Sequence, residues 1–351
     1  MQRLATASTN ALDELHVCPR RRDAVVIPAI LAAAPFLSPA PPLSLPATPR
    51  LGFIGAGRLA RCVAMRFAAA GFPVAAVASR TAASAAELAA RIDGCRAVDT
   101  PQQVVDAADL IFLTVPDDQL APAAAALRFD AARASGQALV HCSGASAVEL
   151  LDPARLQGAA TGGFHPLYLF GGTDADLTRI DGCSVTIEAD GALHATLMRL
   201  VAALGCPPLS IPAGGRMLYP GAAHYAAGFA LCGLAEAVGL WRGLGFDEAA
   251  ALRALLPMPA GTIETARDQG LANALAGPVA RGDTGIVERQ LALLEAHGGD
   301  NATLYALMTR RAAALGAQRT APPATPPALA QAVEASLART TGHPPPPRDE
   351  A

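Results

Sequence analysis

Short apolar runs alternate with longer segments of helical character over the first 211 residues. Each run is too short for a helix and stops at a Gly, Ser or Pro turn, which is typical of buried strands. A helix is predicted over 58–70, after the first run, and another over 191–204. Short buried strands separated by helices favour a parallel sheet. The predicted strands are 51–54, 73–78, 110–115, 138–141, 158–162, 182–188 and 207–211.

Beyond Pro212 the pattern becomes helical. Residues 216–244 are rich in Ala, Gly and Leu, and Glu236 is their only carboxylate. This run is just long enough to cross a membrane. Its small residues also allow close helix packing, so we expect a helix at a core or at a dimer interface. Further helices are predicted over 247–256, 260–274 and 284–316.

A glycine motif, GAGRLA at residues 55–60, joins the first predicted strand to the first helix. Gly55 allows a tight turn, Gly57 leaves the backbone open to a pyrophosphate, and Ala60 lets the helix pack closely on the strand. The helix N-terminus then offers free N–H groups and a partial positive charge to phosphates. The flanking strand and helix distinguish the motif from an isolated turn. It predicts a dinucleotide site that includes Gly55, Ala56, Gly57, Arg58 and Leu59.

The end of the second predicted strand indicates which dinucleotide binds. An NAD site usually has a carboxylate there for the ribose 2′-hydroxyl, whereas this strand ends in Ser79-Arg80-Thr81. Arg80 can pair with a 2′-phosphate, and Ser79 can donate a hydrogen bond to it. We therefore expect NADP(H) rather than NAD(H). The alternative is that Arg80 is an ordinary solvated arginine.

Polar residues follow three further predicted strands. In an open parallel sheet, ligands bind beyond the carboxyl ends of the strands. We expect one group of these residues to face the nicotinamide side of the cofactor. His141 can hold the cofactor ribose or amide. The group consists of Val115, Pro116, Asp117, His141 and Ser143.

Hydride transfer usually needs a proton donor as well as the cofactor. His165, at a strand end before Pro166, is the first candidate, although it could simply bond its own loop. Tyr219 and His224 can project from the long helix toward the cleft, but a lone His on an apolar helix is often a core residue. Arg281 can bind a substrate carboxylate, or it can pair with Asp283.

Composition excludes several kinds of chemistry. All 27 basic residues of the 351 are arginine, so no lysine can act as a Schiff base or in a Walker A motif. The net charge of −3 gives no reason to expect nucleic acid or an anionic membrane as a partner. The seven cysteines are scattered, as in the reduced proteins of the cytoplasm. The sequence contains no metal-ligand motif.

These patterns divide the chain into four parts. Residues 1–48 are expected to be a disordered extension or a mis-called start, and 49–211 a Rossmann-like NADP-binding domain. Residues 212–317 are expected to form a helical substrate and dimerisation domain, and 318–351 a disordered Pro/Ala-rich tail. The expected fold class is α/β, with a doubly wound parallel sheet followed by an all-α C-terminal domain.

The motifs together resemble a known family, two-domain proteins with a Rossmann-like half and a helical half catalogued as DUF2520. Its relatives include pyrroline-5-carboxylate reductases and F420-dependent NADP reductases. The resemblance covers about residues 51–290 and implies an NADP-linked oxidoreductase without an agreed substrate. The chain departs from the family pattern at Tyr168, Pro220, Gly228 and Gln290. The resemblance rests on residues 52–58, 79–80, 108–109, 115–118, 141–145, 165–166, 218–219 and 277–283.

Two functions follow from this sequence. The first is an NADP(H)-dependent oxidoreductase that transfers hydride to or from a small polar, carboxylate-bearing keto or imine substrate, acting as a homodimer through its helical domain. The second, which the departures in the helical half favour, is a non-catalytic NADP(H)-binding sensor or assembly protein. A Rossmann-like fold alone does not distinguish them, since it binds the cofactor in both cases.

Overall fold

The structure is a computed structural model that describes residues 45–212, 215–322 and 327–342. Residues 1–44, which make up most of the predicted extension 1–48, lie outside the described residues. The same is true of the end of the predicted tail, residues 343–351.

Within these residues, eight strands form one sheet in the order β3-β2-β1-β4-β5-β6-β7-β8. Neighbours are parallel except for β6 and β7, which are antiparallel. The expected α/β fold is confirmed, with β7 and β8 running opposite to the other six strands. The strands are β1 (Leu51–Ile54), β2 (Val74–Ala78), β3 (Arg96–Ala97), β4 (Leu110–Leu113), β5 (Ala138–His141), β6 (Ala160–Pro166), β7 (Val185–Glu188) and β8 (Pro208–Leu209).

The reversal at β7 has a local cause. The connection between β6 and β7, residues 167–184, contains one helix of only four residues in place of the longer helix that usually joins parallel neighbours. The chain therefore turns back at the carboxyl edge, and His165 pairs with Thr186. This places polar residues of β7 beside the end of β6.

Helices cover both faces of the sheet, as a doubly wound fold requires. Leu51 and Phe53 of β1 face one apolar core, while Ile54 faces the other. Gly52 permits close packing, because a Cβ there would lie 2.5 Å from a Val104 methyl group. The helices of this half are α1 (Arg58–Ala69), α2 (Ala82–Ala89), α3 (Pro101–Ala107), α4 (Asp117–Ala126), α5 (Asp152–Arg155), α6 (Asp176–Arg179) and α7 (Gly191–Ala203).

The second half is helical throughout its described part. The predicted helix over 284–316 is divided at Gly298 and Gly299, whose φ angles of 90° and 67° suit glycine. The helices are α8 (Leu218–Ala223), α9 (Phe229–Gly243), α10 (Glu248–Leu255), α11 (Pro257–Gln269), α12 (Leu271–Ala274), α13 (Pro278–Arg281), α14 (Thr284–His297), α15 (Asn301–Gly316) and α16 (Pro327–Thr341).

A π-helical turn, His224–Gly228, joins α8 to α9 in one long helical stretch. This stretch, Leu218–Gly243, has the length and apolar composition of a membrane span, although only 6% of its most apolar window is buried within the chain. Length and composition alone are weak grounds for a membrane span. Several large side chains on this stretch are exposed, including Tyr225 at 76%.

The prediction that the chain is disordered after residue 318 is wrong for α16. This helix packs on α14 and α15 through Leu329, Val333 and Leu337, which recur every four residues. Arg339 also pairs with Glu295 of α14 at 2.8 Å. Despite its Pro- and Ala-rich composition, this segment forms an amphipathic helix. The helix begins at Pro327, and proline is favoured at the first position of a helix.

Candidate functional site

The loop between β1 and α1 has the geometry of a phosphate cradle. Gly55 has a φ of +109°, and a Cβ there would lie 2.5 Å from the Thr114 carbonyl oxygen. At Gly57 a Cβ would meet no atom within 4 Å, so the backbone is open on that side. The first turn of α1 contains no acidic residue and begins with Arg58. The partial positive charge of the helix N-terminus repels the Arg58 cation, and a bound anion would be attracted by both positive charges.

The predicted cofactor residues lie along one edge of the sheet. Strands β2, β1, β4 and β5 are adjacent and parallel, so the residues after them share the carboxyl edge. Arg80 is exposed there, and Ser79 is partly buried. Val115 and Pro116 follow β4 and lead into α4. The Ser143 hydroxyl donates to Asp117 Oδ2 at 3.0 Å, which joins the ends of β4 and β5.

A cleft of about 270 Å³ opens on one face of β5, β6 and β7. Side chains alternate along a strand, and residues opposite each other in neighbouring strands share a face. His165, Thr186 and Glu188 therefore point to the same side, while Phe164 packs in the core behind them. Residues from the chain between β8 and α8 close the cleft. Its lining consists of Ser143, Gly163, His165, Thr186, Ile187, Glu188, Ile211, Pro212, Arg216 and Tyr219.

His165 and Tyr219 form the central pair of this cleft. The Tyr219 hydroxyl lies 2.9 Å from His165 Nδ1 and 3.3 Å from Thr186 Oγ1. Burial lowers the pKa of His165, and the negative charge of Asp117 opposes part of that shift. The imidazole is therefore neutral near pH 7 and can exchange a proton with the phenol.

Gly144 allows this pair to form. A Cβ at residue 144 would lie 2.6 Å from His165 Cε1 and 2.8 Å from the Tyr219 hydroxyl oxygen. Both distances are shorter than real Cβ contacts, so any larger residue would push the two side chains away. The loop is held in place because Ser143 Oγ accepts hydrogen bonds from the backbone N–H groups of Ala145 and Ser146, at 3.2 and 2.9 Å.

His141 is buried behind the cleft at the end of β5. Its Nδ1 accepts a hydrogen bond from the Ser143 N–H at 3.2 Å, so Nε2 carries the hydrogen. Nε2 has no partner within the part of the chain that the structure describes. Burial first, and the nearby charge of Arg216 second, lower the pKa of His141 to about 4. A buried donor of this kind calls for an acceptor from water.

Two predicted catalytic residues lie elsewhere. His224 is exposed at the π-helical turn, with its ring centroid 6.0 Å from that of Phe229. Arg281 is exposed at the end of α13, and Asp283 caps α14 by accepting from the Ile286 N–H at 3.3 Å. Neither His224 nor Arg281 lines the cleft. Among the described residues, no group of three or more His, Cys, Asp or Glu side chains could hold a metal ion.

Sequence reasoning missed four residues of the site. Thr186 and Glu188 stand two apart on a strand, and this alternation could have placed them on one face. Gly144 follows a strand end, but its role depends on side chains that are distant along the chain. Arg216 follows Gly215, and nothing in its sequence context indicates a site.

Two families match the chain. Residues 43–166 match the Rossmann-like domain, and residues 183–312 match the domain of unknown function DUF2520. The chain therefore contains a Rossmann-like domain followed by a DUF2520 domain. The resemblance that the sequence predicts is thereby confirmed. His165 belongs to the Rossmann-like match, whereas Arg216 and Tyr219 belong to the DUF2520 match.

Several solved structures share the fold of this protein at low sequence identity. A "putative NADP oxidoreductase" from Bacteroides fragilis has a TM-score of 0.61 and 22% identity, and the match covers 76% of this chain and 98% of that one. A reductive aminase from Aspergillus terreus with NADPH has a TM-score of 0.53 and 19% identity, covering 84% and 96%. An imine reductase from Myxococcus stipitatus with NADP⁺ has a TM-score of 0.51 and 19% identity, covering 76% and 92%. No curated protein matches the chain significantly.

Proposed function

We propose that the protein is an NADP(H)-dependent oxidoreductase. It transfers hydride to or from a small polar keto or imine substrate that carries a carboxylate. The observation that carries the proposal is the His165–Tyr219 pair, 2.9 Å apart in a cleft at the carboxyl edge of the sheet. A proton-handling pair beside a dinucleotide cradle is what hydride transfer to a C=O or C=N bond requires.

The residues of this edge fit NADP(H). Gly57, the open α1 N-terminus and Arg58 suit the pyrophosphate, and Arg80 with Ser79 suits a 2′-phosphate. His141 is fully buried and contacts this edge through the Ser143 N–H, which donates to its Nδ1, so it supports the loop after β5 rather than contacting the cofactor itself. The reductive aminase and the imine reductase with the same fold hold NADPH and NADP⁺, which supports the same choice. When bound, NADP(H) supplies or accepts the hydride.

Tyr219 gives a proton to the developing alkoxide or amine when the substrate is reduced. His165 then relays a proton to the phenolate: its Nδ1–H donates to the phenolate oxygen while Nε2 takes up a proton from water, so the imidazole is neutral before and after, and Thr186 holds the phenol oxygen from the other side. The reverse reaction uses the same groups in the opposite order. The neutral imidazole is ready for this exchange because burial lowers the pKa of His165.

A homodimer through the helical domain is part of the proposal. The α8–α11 region exposes large apolar side chains, including Leu231, Phe229 and Met258, each more than half exposed. An exposed apolar surface of this kind is typical of an interaction site. Light scattering after gel filtration should give twice the chain mass, and Leu231→Glu should shift the population to monomer. A wild-type chain that is monomeric and soluble without detergent would contradict the dimer.

Binding of the cofactor is the first test. Titration of NADPH fluorescence should show tight binding of NADPH and weaker binding of NADH. Arg80→Asp should weaken NADPH binding by about 10- to 100-fold and change NADH binding much less, since a charge-assisted pair contributes about 1.5–3 kcal/mol. The matched control is Arg253→Asp on exposed α10. Equal NADPH affinity in Arg80→Asp and in the control would refute the role of Arg80.

Turnover is the second test. NADPH oxidation should be assayed with keto acids and cyclic imines as substrates. His165→Ala and Tyr219→Phe should lower kcat by about 100-fold or more and leave NADPH binding unchanged. His194→Ala and Tyr225→Phe, on exposed side chains, are the matched controls. Tight NADPH binding without turnover on any substrate would instead favour the non-catalytic sensor.

A further inference from the structure

Arg216 connects the two sides of the cleft. It lies in the turn between β8 and α8, three residues before Tyr219. Its Nη1 donates to the carbonyl oxygen of Ser146, and its Nη2 forms an ion pair with Glu188. One partner belongs to the loop after β5 and the other to β7. The side chain is 29% exposed, so the guanidinium is mostly enclosed but still reachable from the cleft.

The charges around the cleft leave Arg216 available to an anion. Among the described residues that line the cleft, it is the side chain with a permanent positive charge. Burial keeps His165 neutral, and Glu188 is 51% exposed, so water screens its attraction for Arg216. A guanidinium has five N–H donors in a planar fork. Two of these N–H groups are used by the Ser146 carbonyl and by Glu188, and the remaining N–H groups can bind a carboxylate.

The spacing on β7 limits the length of such a ligand. Thr186 contacts Tyr219, and Glu188 contacts Arg216. These two β7 residues are two positions apart, which is about 7 Å along a strand. The guanidinium of Arg216 therefore lies about 7 Å from the His165–Tyr219 pair. A group that binds Arg216 while its reacting carbon faces Tyr219 must be joined to that carbon by only a few bonds.

We propose that Arg216 binds the carboxylate of a short oxo or imino acid and thereby determines substrate specificity. Glu188 and the Ser146 carbonyl position its guanidinium. This inference rests on the proposed function, for which it names the residue that selects the substrate. Arg281, the residue that the sequence favours for this role, is exposed at the end of α13 and does not line the cleft.

The test compares a carboxylate with a neutral analogue of the same shape. Binding of 2-oxobutanoate and of 2-oxobutanamide is measured by ligand-observed NMR, with and without NADPH. Wild type should bind the acid, and Arg216→Gln should bind it about 10- to 100-fold more weakly, with the amide unchanged. Arg216→Lys should recover only part of the loss, because an ammonium lacks the planar fork. Arg179→Gln, on an exposed arginine, is the control.

The binding measurement separates this inference from the proposed function. Acid binding that depends on Arg216 supports the carboxylate site even when no substrate turns over. Acid binding that is equal in wild type and Arg216→Gln, or no preference for acid over amide in wild type, overturns it even for an active enzyme. Circular dichroism and NADPH titration of each variant establish that the fold and the cofactor site are intact.

Discussion

Gly144 offers a direct test of the His165–Tyr219 pair. In Gly144→Ala, the new methyl group would lie 2.6 Å from His165 Cε1 and 2.8 Å from the Tyr219 oxygen. Ordinary contacts begin near 3.4 Å, so the imidazole must move by about 0.8 Å. Gly144 does not have a positive φ, so alanine fits its backbone and the effect is steric alone.

A displacement of this size should be costly for catalysis. Misplacing a reacting group by about 1 Å can lower a rate about 100-fold. We expect kcat of Gly144→Ala to fall by roughly that factor, with NADPH affinity unchanged. Overpacking should lower the free energy of unfolding by about 1–3 kcal/mol. Steady-state kinetics, NADPH titration and urea unfolding measure the three quantities. Gly261→Ala, whose Cβ would meet no atom within 4 Å, is the control for kcat.

A double variant distinguishes displacement from general damage. In Gly144→Ala/His165→Ala the imidazole that collides with the new methyl group is absent. Because both substitutions act on one pair, kcat should be within about threefold of that of His165→Ala alone. Additive losses would mean that the new methyl group acts mainly through its contact with Tyr219, 2.8 Å away, or outside the pair. A Gly144→Ala variant with full kcat would refute the role of the pair.

Two further predictions concern stability. The pKa of His141 is about 4 in the folded chain and 6.5 ordinarily, so the unfolded state binds a proton at His141 before the folded state does as the pH falls. The contribution of His141 to the free energy of unfolding should therefore fall by up to about 3 kcal/mol between pH 6.5 and 4 and be constant above pH 6.5. Urea unfolding across this range should show a shallower fall in His141→Asn but not in His194→Asn. Leu329→Ala should lower the free energy of unfolding by about 2–5 kcal/mol, because this side chain of α16 is buried. Leu293→Ala, on an exposed side chain, should change it by less than about 0.5 kcal/mol. Equal effects of the two substitutions would contradict the packing of α16.

The sequence predicted the part of the site that depends on neighbouring residues. The glycine loop at residues 55–60 is a local motif, and its turn at Gly55 has the backbone angle that the motif requires. The ends of β2, β4 and β5 are also local, and parallel neighbours bring them to one edge without further information. His165 was found for the same reason, because it stands at a strand end.

The remainder depends on contacts between distant segments. The direction of β7 is opposite to that of β6, and apolar patterning does not encode strand direction. The positions of His224 and Arg281 depend on how each helix is oriented relative to the sheet, which the sequence does not encode locally. At His224 the π-helical turn also changes the direction in which side chains leave the helix. Arg216 acquires its role only because Ser146 and Glu188 come to the same place from elsewhere in the chain. The fold class was accessible from sequence, and the cleft was accessible only in part.

The 2.9 Å contact between Tyr219 and His165 spans two families of domain. A gene rearrangement that kept the Rossmann-like half and replaced the helical half would retain the imidazole and lose the phenol. Under the proposed function, such a descendant would keep the dinucleotide loop and lose the proton donor. Under the proposed function, selection therefore acts on the two halves together, and substitutions around Gly144 in one half should track those around Tyr219 in the other.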